Sequence, residues 1–231
     1  ADLYATAGMQ LKSYGVTLTA KKSWFMFDDE IVALGAGISS TDNRTIETII
    51  ENRKLNTSGN NALTVNGTAK SATLGWSETM SSVNRIHLDG TAGYYFPNAV
   101  TVKGLREQRS GGWSDIGNST GTETFNFLTL WLDHGSNPSN ATYQYAILPN
   151  YTSAETTTYA SSPEFTVLEN SVNAQGVKEN GLKVIGVNFW NDSSKTVDII
   201  TSNKKSSVMV RENAGDLDVA VSDPTQLNTG T

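Results

Sequence analysis

The sequence predicts an all-β protein whose main architecture is one large antiparallel β-sandwich. Apolar runs rich in Val, Ile, Phe, Tyr and Trp recur at spacings of about 8–12 residues, and polar turns separate them. Amphipathic helix patterns are almost absent from the chain. Its 231 residues suit one large β domain or two small ones.

The first predicted elements form a β-hairpin. Residues 22–27 and 30–34 are two apolar runs, and the acidic pair Asp28-Asp29 joins them in a tight turn. Residues 45–50 come next, and their density of β-branched side chains favours a strand over a helix.

Two short motifs in this part of the chain have only a partial likeness to ligand loops. Residues 34–40 open like a dinucleotide-binding loop, but Ser40 stands at the place of the third glycine and no helix follows. We therefore expect a glycine-rich turn there. The acids at 28–30 lack the spacing of a calcium loop, and a solvated turn is expected.

The second half of the chain repeats the strand pattern and adds one expected helix, at residues 153–159 after Pro149. Residues 125–132 and 141–148 are predicted to be antiparallel neighbours, because a short loop with Gly and Pro joins them. The remaining strand predictions are one strand–turn–strand unit, 182–190 with 196–200, and two further runs at 207–210 and 217–221.

Composition and charge exclude several classes of protein. The chain has no cysteine, which excludes disulfide scaffolds, thiolate metal sites and cysteine nucleophiles. Its 17 basic and 23 acidic residues give a net charge of -6, and without a basic run we expect no binding to nucleic acid. No apolar run is long enough to cross a membrane. The heavy use of Ser, Thr, Asn and Gly is typical of secreted bacterial β proteins, so an extracellular location is expected.

Seven stretches of the sequence carry a resemblance to a known family. They are KSWFMFDDEIVALG (22–35), ETIIENR (47–53), GYYFP (93–97), GWSDI (112–116), DHGSNP (133–138), YQYAILP (143–149) and VSDPTQ (221–226). In this order, and over nearly the whole chain, they resemble the central β domain of the family 8 polysaccharide lyases. That family includes hyaluronate, chondroitin AC and xanthan lyases, and the overall likeness is greatest to the xanthan lyases.

The resemblance implies an enzyme with an N-terminal α/α toroid, a large antiparallel β supersandwich of the galactose-mutarotase-like type, and a small C-terminal β domain. Residues 1–221 are then expected to be the central sandwich without its first strands, and residues 222–231 the start of the C-terminal domain or a linker. In the family, the Asn, His and Tyr that perform the elimination lie in the toroid, and a further Asn/Glu pair lies near the start of the β region. No segment here matches either group, so no catalytic residue is assigned to this chain.

The segment from Arg106 to Trp113 is the main candidate for substrate contact. It is predicted as a loop and combines two arginines, Arg106 and Arg109, with two glycines and the indole of Trp113. A sugar ring stacks on an indole, and an arginine binds a carboxylate through two parallel hydrogen bonds. A protein of net charge -6 needs such local cations to hold a polyanion. The alternative is a surface loop in which an arginine pairs with Glu107.

Two other groups of residues have side chains suited to a functional role. Tyr94 and Tyr95 are a second pair of candidate substrate contacts, with packing beneath a domain interface as the alternative. Asp133 and His134 are not interpreted as a catalytic pair, because the sequence has no nucleophile elbow and a histidine at a strand end is typically a hydrogen-bonding residue. We expect no metal site and no cofactor.

The sequence thus predicts the β-sandwich part of a secreted bacterial lyase that cleaves an acidic polysaccharide by β-elimination, with xanthan ahead of hyaluronan and chondroitin. Its expected partners are that polysaccharide and the toroid of the same enzyme, and the isolated chain is expected to be inactive. The alternative is a stand-alone carbohydrate-binding β-sandwich, in which Trp76, Trp113 and Trp131 include an exposed stacking platform. A structural surface protein is a third hypothesis.

Overall fold

The structure is a computed structural model that describes residues 3–229. These residues contain one α-helix, α1 at Ser153–Ser161, and one 3-10 turn at Trp113–Asp115. The strands are β1 Ala5–Lys12, β2 Thr19–Met26, β3 Ile31–Ser39, β4 Thr45–Lys54, β5 Leu63–Val65, β6 Thr68–Ala69, β7 Ser77–Leu88, β8 Ala92–Gly112, β9 Thr122–Ser136, β10 Ala141–Pro149, β11 Phe165–Asn170, β12 Ala174–Glu179, β13 Val184–Phe189, β14 Lys195–Val197, β15 Ile200–Ser202, β16 Ser206–Asn213 and β17 Asp216–Ser222. The predicted all-β class and the predicted helix are both confirmed.

The chain folds into two compact units that alternate along the sequence. The first unit contains the residues up to Arg44, Ser136–Pro149 and the residues from Ser161 onward. The second unit contains Thr45–Gly135 and Asn150–Ala160. Neither helical segment within residues 3–229 is long and apolar enough to cross a membrane.

In the first unit, β1, β2, β3 and β10 lie side by side, each antiparallel to the next. The Phe27 amide donates to the Glu30 carbonyl at 3.0 Å and closes the β2–β3 turn, so the predicted hairpin is confirmed. The prediction of a glycine-rich turn at 34–40 is wrong, because β3 continues through Gly35 to Ser39. The missing side chain of Gly35 makes room for a ring, since a Cβ there would lie 2.0 Å from Tyr143 Cε1.

The rest of the first unit is a five-stranded sheet in the order β11-β12-β13-β16-β17, with a separate β14–β15 ribbon. Val197 and Ile200 of the ribbon belong to the same buried cluster as Val187 and Val208 of the sheet. The predicted strand–turn–strand unit at 182–200 is wrong, because β13 pairs with β12 and β16 while β14 pairs with β15. The last two predicted strands are confirmed and pair with each other as β16 and β17.

In the second unit the strand order is β4-β9-β8-β7-β5-β6. Apolar side chains from these strands form its core, and the fully buried ones include Val83, Ile86, Val102, Leu128 and Leu130. The strand predicted at residues 45–50 is confirmed as β4. The predicted pairing of residues 125–132 with 141–148 is wrong, because β4 and β8 occupy the two edges of β9.

Candidate functional site

All candidate residues except Trp113 lie on β8 and β9, which pair without a bulge from Lys103 opposite Trp131 to Gly112 opposite Thr122. Side chains alternate along a strand, and directly opposed residues share a face. The odd-numbered residues of this paired stretch therefore lie together on one side, which we call the outer face. On the opposite side, Arg106, Leu128 and Leu130 are buried in the core of the second unit, whereas Gln108 and Ser110 near the strand end are exposed.

Arg109 stands on the outer face and is held by three side chains. Its Nε donates to Glu107 Oε1 at 2.8 Å, its Nη1 to Asn52 Oδ1 at 2.9 Å, and its Nη2 to Thr129 Oγ1 at 2.7 Å. Thr129 also donates to Asn52 Oδ1, at 3.2 Å. The guanidinium carbon lies 4.9 Å from the centroid of the Phe127 ring. These contacts fix the orientation of the guanidinium before any ligand arrives.

The fixed guanidinium keeps capacity to bind an anion. Of the five N–H donors of an arginine, Arg109 uses three within the described residues, which leaves one on each Nη atom. The Arg109 side chain is 37% exposed, so it is partly accessible to solvent. Asn52 is exposed beside it, and its amide nitrogen donates to no described residue. A carboxylate can accept a charge-assisted hydrogen bond from such a guanidinium N–H.

Arg106 occupies a different environment, because the segment predicted as a loop is the end of β8. The side chain of Arg106 is 0% exposed, and its Nη1 and Nη2 donate to the carbonyls of Gly59 at 2.5 Å and Asn61 at 2.9 Å. Burial lowers the pKa of this guanidinium. Arg106 and Arg109 are three positions apart in a strand, so they point to opposite faces. The loop prediction is therefore wrong, and Arg106 has no surface from which to contact a sugar.

Trp113 lies just beyond β8, at the tip of the β8–β9 connection. Its amide donates to the Gly121 carbonyl at 3.0 Å, and Asp115 Oδ2 accepts from the Gly112 amide at 3.1 Å. The Trp113 side chain is 48% exposed, and the nearby Ile116 is 81% exposed. The tip thus presents an indole and an aliphatic side chain to solvent.

The two candidate tyrosines pack inside the second unit. Tyr94 is 0% exposed, and its hydroxyl donates to Glu51 Oε2 at 2.5 Å. Tyr95 is 9% exposed and contacts the Tyr159 ring edge to face, with 5.7 Å between the centroids. Burial raises the pKa of Tyr95. This environment favours the packing interpretation of both residues over sugar contact.

Asp133 and His134 serve separate partners. Lys103 Nζ forms an ion pair with Asp133 Oδ2 at 2.6 Å, and this contact, with the Gly135 amide, holds the pKa of Asp133 below its usual range. His134 Nε2 lies 2.8 Å from Thr48 Oγ1, and burial lowers the pKa of His134. The hydrogen-bonding role predicted for His134 is confirmed.

The acidic turn at 28–30 is solvated only in part. Asp28 and Asp29 are exposed as expected, but Glu30 is buried, at 2% exposure. Within residues 3–229, no three His, Asp or Glu side chains form a group that could hold a metal ion.

Sequence reasoning missed Asn52 and Thr129, the residues that orient Arg109. Asn52 lies in the ETIIENR stretch that carried the family resemblance. Arg109, which it contacts, is more than fifty residues away in the chain. Thr129 is a polar residue between apolar ones in β9, and strand alternation places it on the outer face with Phe127. Strand alternation was the signal that could have identified Thr129 as a neighbour of Arg109. Using it required knowing that β8 continues past Arg106, so that Arg109 lies in a strand and not in a loop.

Two family models match the chain. Residues 1–160 match the one described as polysaccharide lyase family 8, super-sandwich domain, and residues 166–231 match polysaccharide lyase family 8, C-terminal beta-sandwich domain. The two matches meet close to the end of α1.

Two named proteins are similar to this chain over nearly its whole length. A xanthan lyase of Bacillus sp. (strain GL1) is 50% identical over 100% of this chain and 26% of its own length. A hyaluronate lyase of Thermasporomyces composti is 34% identical over 96% of this chain and 29% of its own length. The chain therefore spans about a quarter of the length of these relatives.

Two solved structures show the same fold. A Paenibacillus xanthan lyase superimposes with a TM-score of 0.96 at 57% identity, covering 98% of this chain and 23% of that protein. The Streptomyces coelicolor A3 chondroitin AC lyase, in complex with chondroitin sulphate, superimposes with a TM-score of 0.80 at 34% identity, covering 97% of this chain and 28% of that protein.

Proposed function

The chain belongs to polysaccharide lyase family 8, and from this we propose that it is the β-sandwich part of a larger enzyme that cleaves an acidic polysaccharide by β-elimination. In this proposal the chain forms one wall of the substrate cleft and holds the polymer. The residues that transfer protons belong to an N-terminal α/α toroid of the same enzyme. The share of the relatives that this chain spans, about a quarter, is consistent with such a division.

The Arg109 site is the observation that carries the proposed role. β-Elimination beside a uronate carboxylate needs a base, an acid for the leaving oxygen and neutralisation of the carboxylate, each within hydrogen-bonding distance. We assign no proton-transfer role to the described residues of this chain, but Arg109 offers two free donors in a fixed orientation. A wall that positions the polymer contributes to catalysis by holding the reacting sugar in place.

The proposed substrate is an acidic polysaccharide, with xanthan ahead of hyaluronan and chondroitin. The preference follows the degree of similarity, because the xanthan lyase relative is 50% identical and the hyaluronate lyase relative is 34% identical. A polymer of this kind is too large to enter a cell, so we also propose that the enzyme is secreted and acts outside it.

The extent of the domains is part of the proposal. A central sandwich reaching residue 221 remains a prediction, and that boundary falls inside the segment, 166–231, that matches the C-terminal domain of the family. Truncated forms of the enzyme that end after residue 160 or after residue 221 distinguish the two boundaries by which one unfolds in a single cooperative transition.

The alternative function, a stand-alone carbohydrate-binding β-sandwich, has less support than the lyase proposal. Of its three tryptophans, Trp113 is exposed, whereas Trp76 and Trp131 are partly covered. Trp76 Nε1 also donates to Glu78 Oε2, at 3.3 Å, so this indole is tied to the sheet.

The test is an assay of the full-length enzyme and of this chain alone on xanthan, hyaluronan and chondroitin. The expected result is ultraviolet-absorbing unsaturated product from the full-length enzyme on at least one polymer, and none from the chain alone. Product formation by the isolated chain would contradict the proposed division of labour. A full-length protein that binds these polymers and cleaves none would contradict the proposed reaction.

A further inference from the structure

We propose that Lys54 is a second cationic contact for the acidic polysaccharide, next to Arg109 on the outer face. This inference rests on the proposed function and adds a residue that determines affinity for a polymer with repeated acidic groups.

The strand geometry brings the two cations to the same side. Lys54 follows Asn52 by two positions in β4, so the two side chains share a face, and Asn52 is bonded to Arg109. Lys54 Nζ lies 3.4 Å from the centroid of the Phe125 ring. Phe125 is the residue directly opposite Arg109 in the β8–β9 pairing.

The outer face of β9 therefore carries two aromatic rings, each with a cation above it. Lys54 stands over Phe125, and Arg109 stands over Phe127. Two positions in a strand are about 7 Å apart, so the two cation–ring pairs follow the strand at about that interval. A row of separated cations matches an extended polyanion better than it matches one small anion.

Lys54 is also the outer-face cation whose charge is not already paired. Among the described residues, Arg109 pairs with Glu107 and Lys103 pairs with Asp133, while Lys54 has no carboxylate within ion-pair distance. Its side chain is exposed, and the Phe125 ring beneath it is 38% exposed. A ring that holds the ammonium in place lowers the entropy lost when the ammonium binds an acidic group.

One unpaired acid lies close to this row. Glu123 is two positions before Phe125 in β9, so it is also on the outer face, and no described cation pairs with it. Its negative charge opposes the binding of a polyanion. We therefore expect two opposite effects: neutralising Lys54 weakens polymer binding, and neutralising Glu123 strengthens it.

The experiment measures KM and kcat of the full-length enzyme on its polymer, at low and at high salt, for Lys54→Gln and Glu123→Gln. The control is Lys195→Gln, which removes the same charge from the β14–β15 ribbon of the other unit, where Lys195 pairs with Glu169 of β11. We expect Lys54→Gln to raise KM about two- to fivefold with little change in kcat, as for an exposed charge pair. The increase should shrink at high salt, because salt screens exposed charges.

Glu123→Gln is expected to lower KM and Lys195→Gln to leave it unchanged. A KM for Lys54→Gln equal to that of Lys195→Gln at low salt would overturn the inference. If Lys54→Gln also lowers the melting temperature, Lys54→Arg decides, because restored charge restores KM only if the contact is electrostatic. Failure of the wild-type enzyme to cleave any acidic polymer would instead refute the proposed function, so the two failures are distinguishable.

Discussion

Arg106 and Arg109 show how one strand gives the same residue type two roles. Arg109 is on the outer face with two donors left for a ligand, whereas Arg106 is buried and holds the backbone of the loop after β4. The sequence reveals both arginines but not which face each occupies, because that depends on whether the segment is strand or loop. A glycine pair next to charged residues is typical of a loop, and here it ends a strand of 21 residues.

Replacing Arg106 should affect stability and not substrate contact. Arg106→Met keeps most of the side-chain volume but leaves the buried Gly59 carbonyl without its donor, which costs about 1–3 kcal/mol. The free energy of unfolding of the chain in denaturant measures this loss. A variant as stable as the wild type would show that the loop does not depend on this arginine.

His134 should make stability depend on pH. Burial lowers its pKa in the folded chain, while the unfolded chain keeps the ordinary value of about 6.5. As the pH falls below that value, the unfolded chain binds the proton first, so the stability that is complete at higher pH declines towards the lowered pKa. Asp133 acts in the opposite direction but less strongly.

The measurement compares the free energy of unfolding as a function of pH for the wild type and His134→Gln. The glutamine can still bond Thr48 but cannot titrate, so the decline on acidification should become shallower. Identical pH profiles for the two proteins would show that another group controls the acid response.

At the scale of elements, the sequence predicts strands better than it predicts their partners. The β2–β3 hairpin was predictable because a two-residue acidic turn forces its strands together. The short loop between β9 and β10 imposes no such constraint, and β9 pairs instead with β8, which precedes it, and with β4, from a distant part of the chain. Pairings of this kind depend on which edges are free in the folded sheet, and a single sequence does not encode that locally.

Gly35 is the point where β3 depends most on a missing side chain. Gly35→Ala would place a Cβ 2.0 Å from the ring of the buried Tyr143, and overpacking of this kind costs about 1–3 kcal/mol. The matched control is Gly111→Ala in β8, where a Cβ would meet no atom within 4 Å. Thermal unfolding of both variants tests the difference. Equal melting temperatures would mean that the Tyr143 ring moves aside at little cost.

At the scale of the whole molecule, the proposed function requires an acidic protein to bind an acidic polymer. The net charge of -6 opposes their association, so the proposed binding depends on local groups such as Arg109. The family was recognisable from long sequence stretches, and two family models and close structural matches establish it. The orientation of Arg109 was not predictable, because the three side chains that hold it come from β4, β8 and β9.

The central claim is that this chain holds an acidic polysaccharide through Arg109 while other parts of the enzyme perform the elimination. The most direct test is kcat/KM of the full-length enzyme on its polymer for the wild type, Arg109→Ala and Arg109→Lys. Loss of a charged hydrogen-bonding group should lower kcat/KM about 10- to 100-fold in Arg109→Ala, with partial recovery in Arg109→Lys. Unchanged kcat/KM in a correctly folded Arg109→Ala enzyme would contradict the claim.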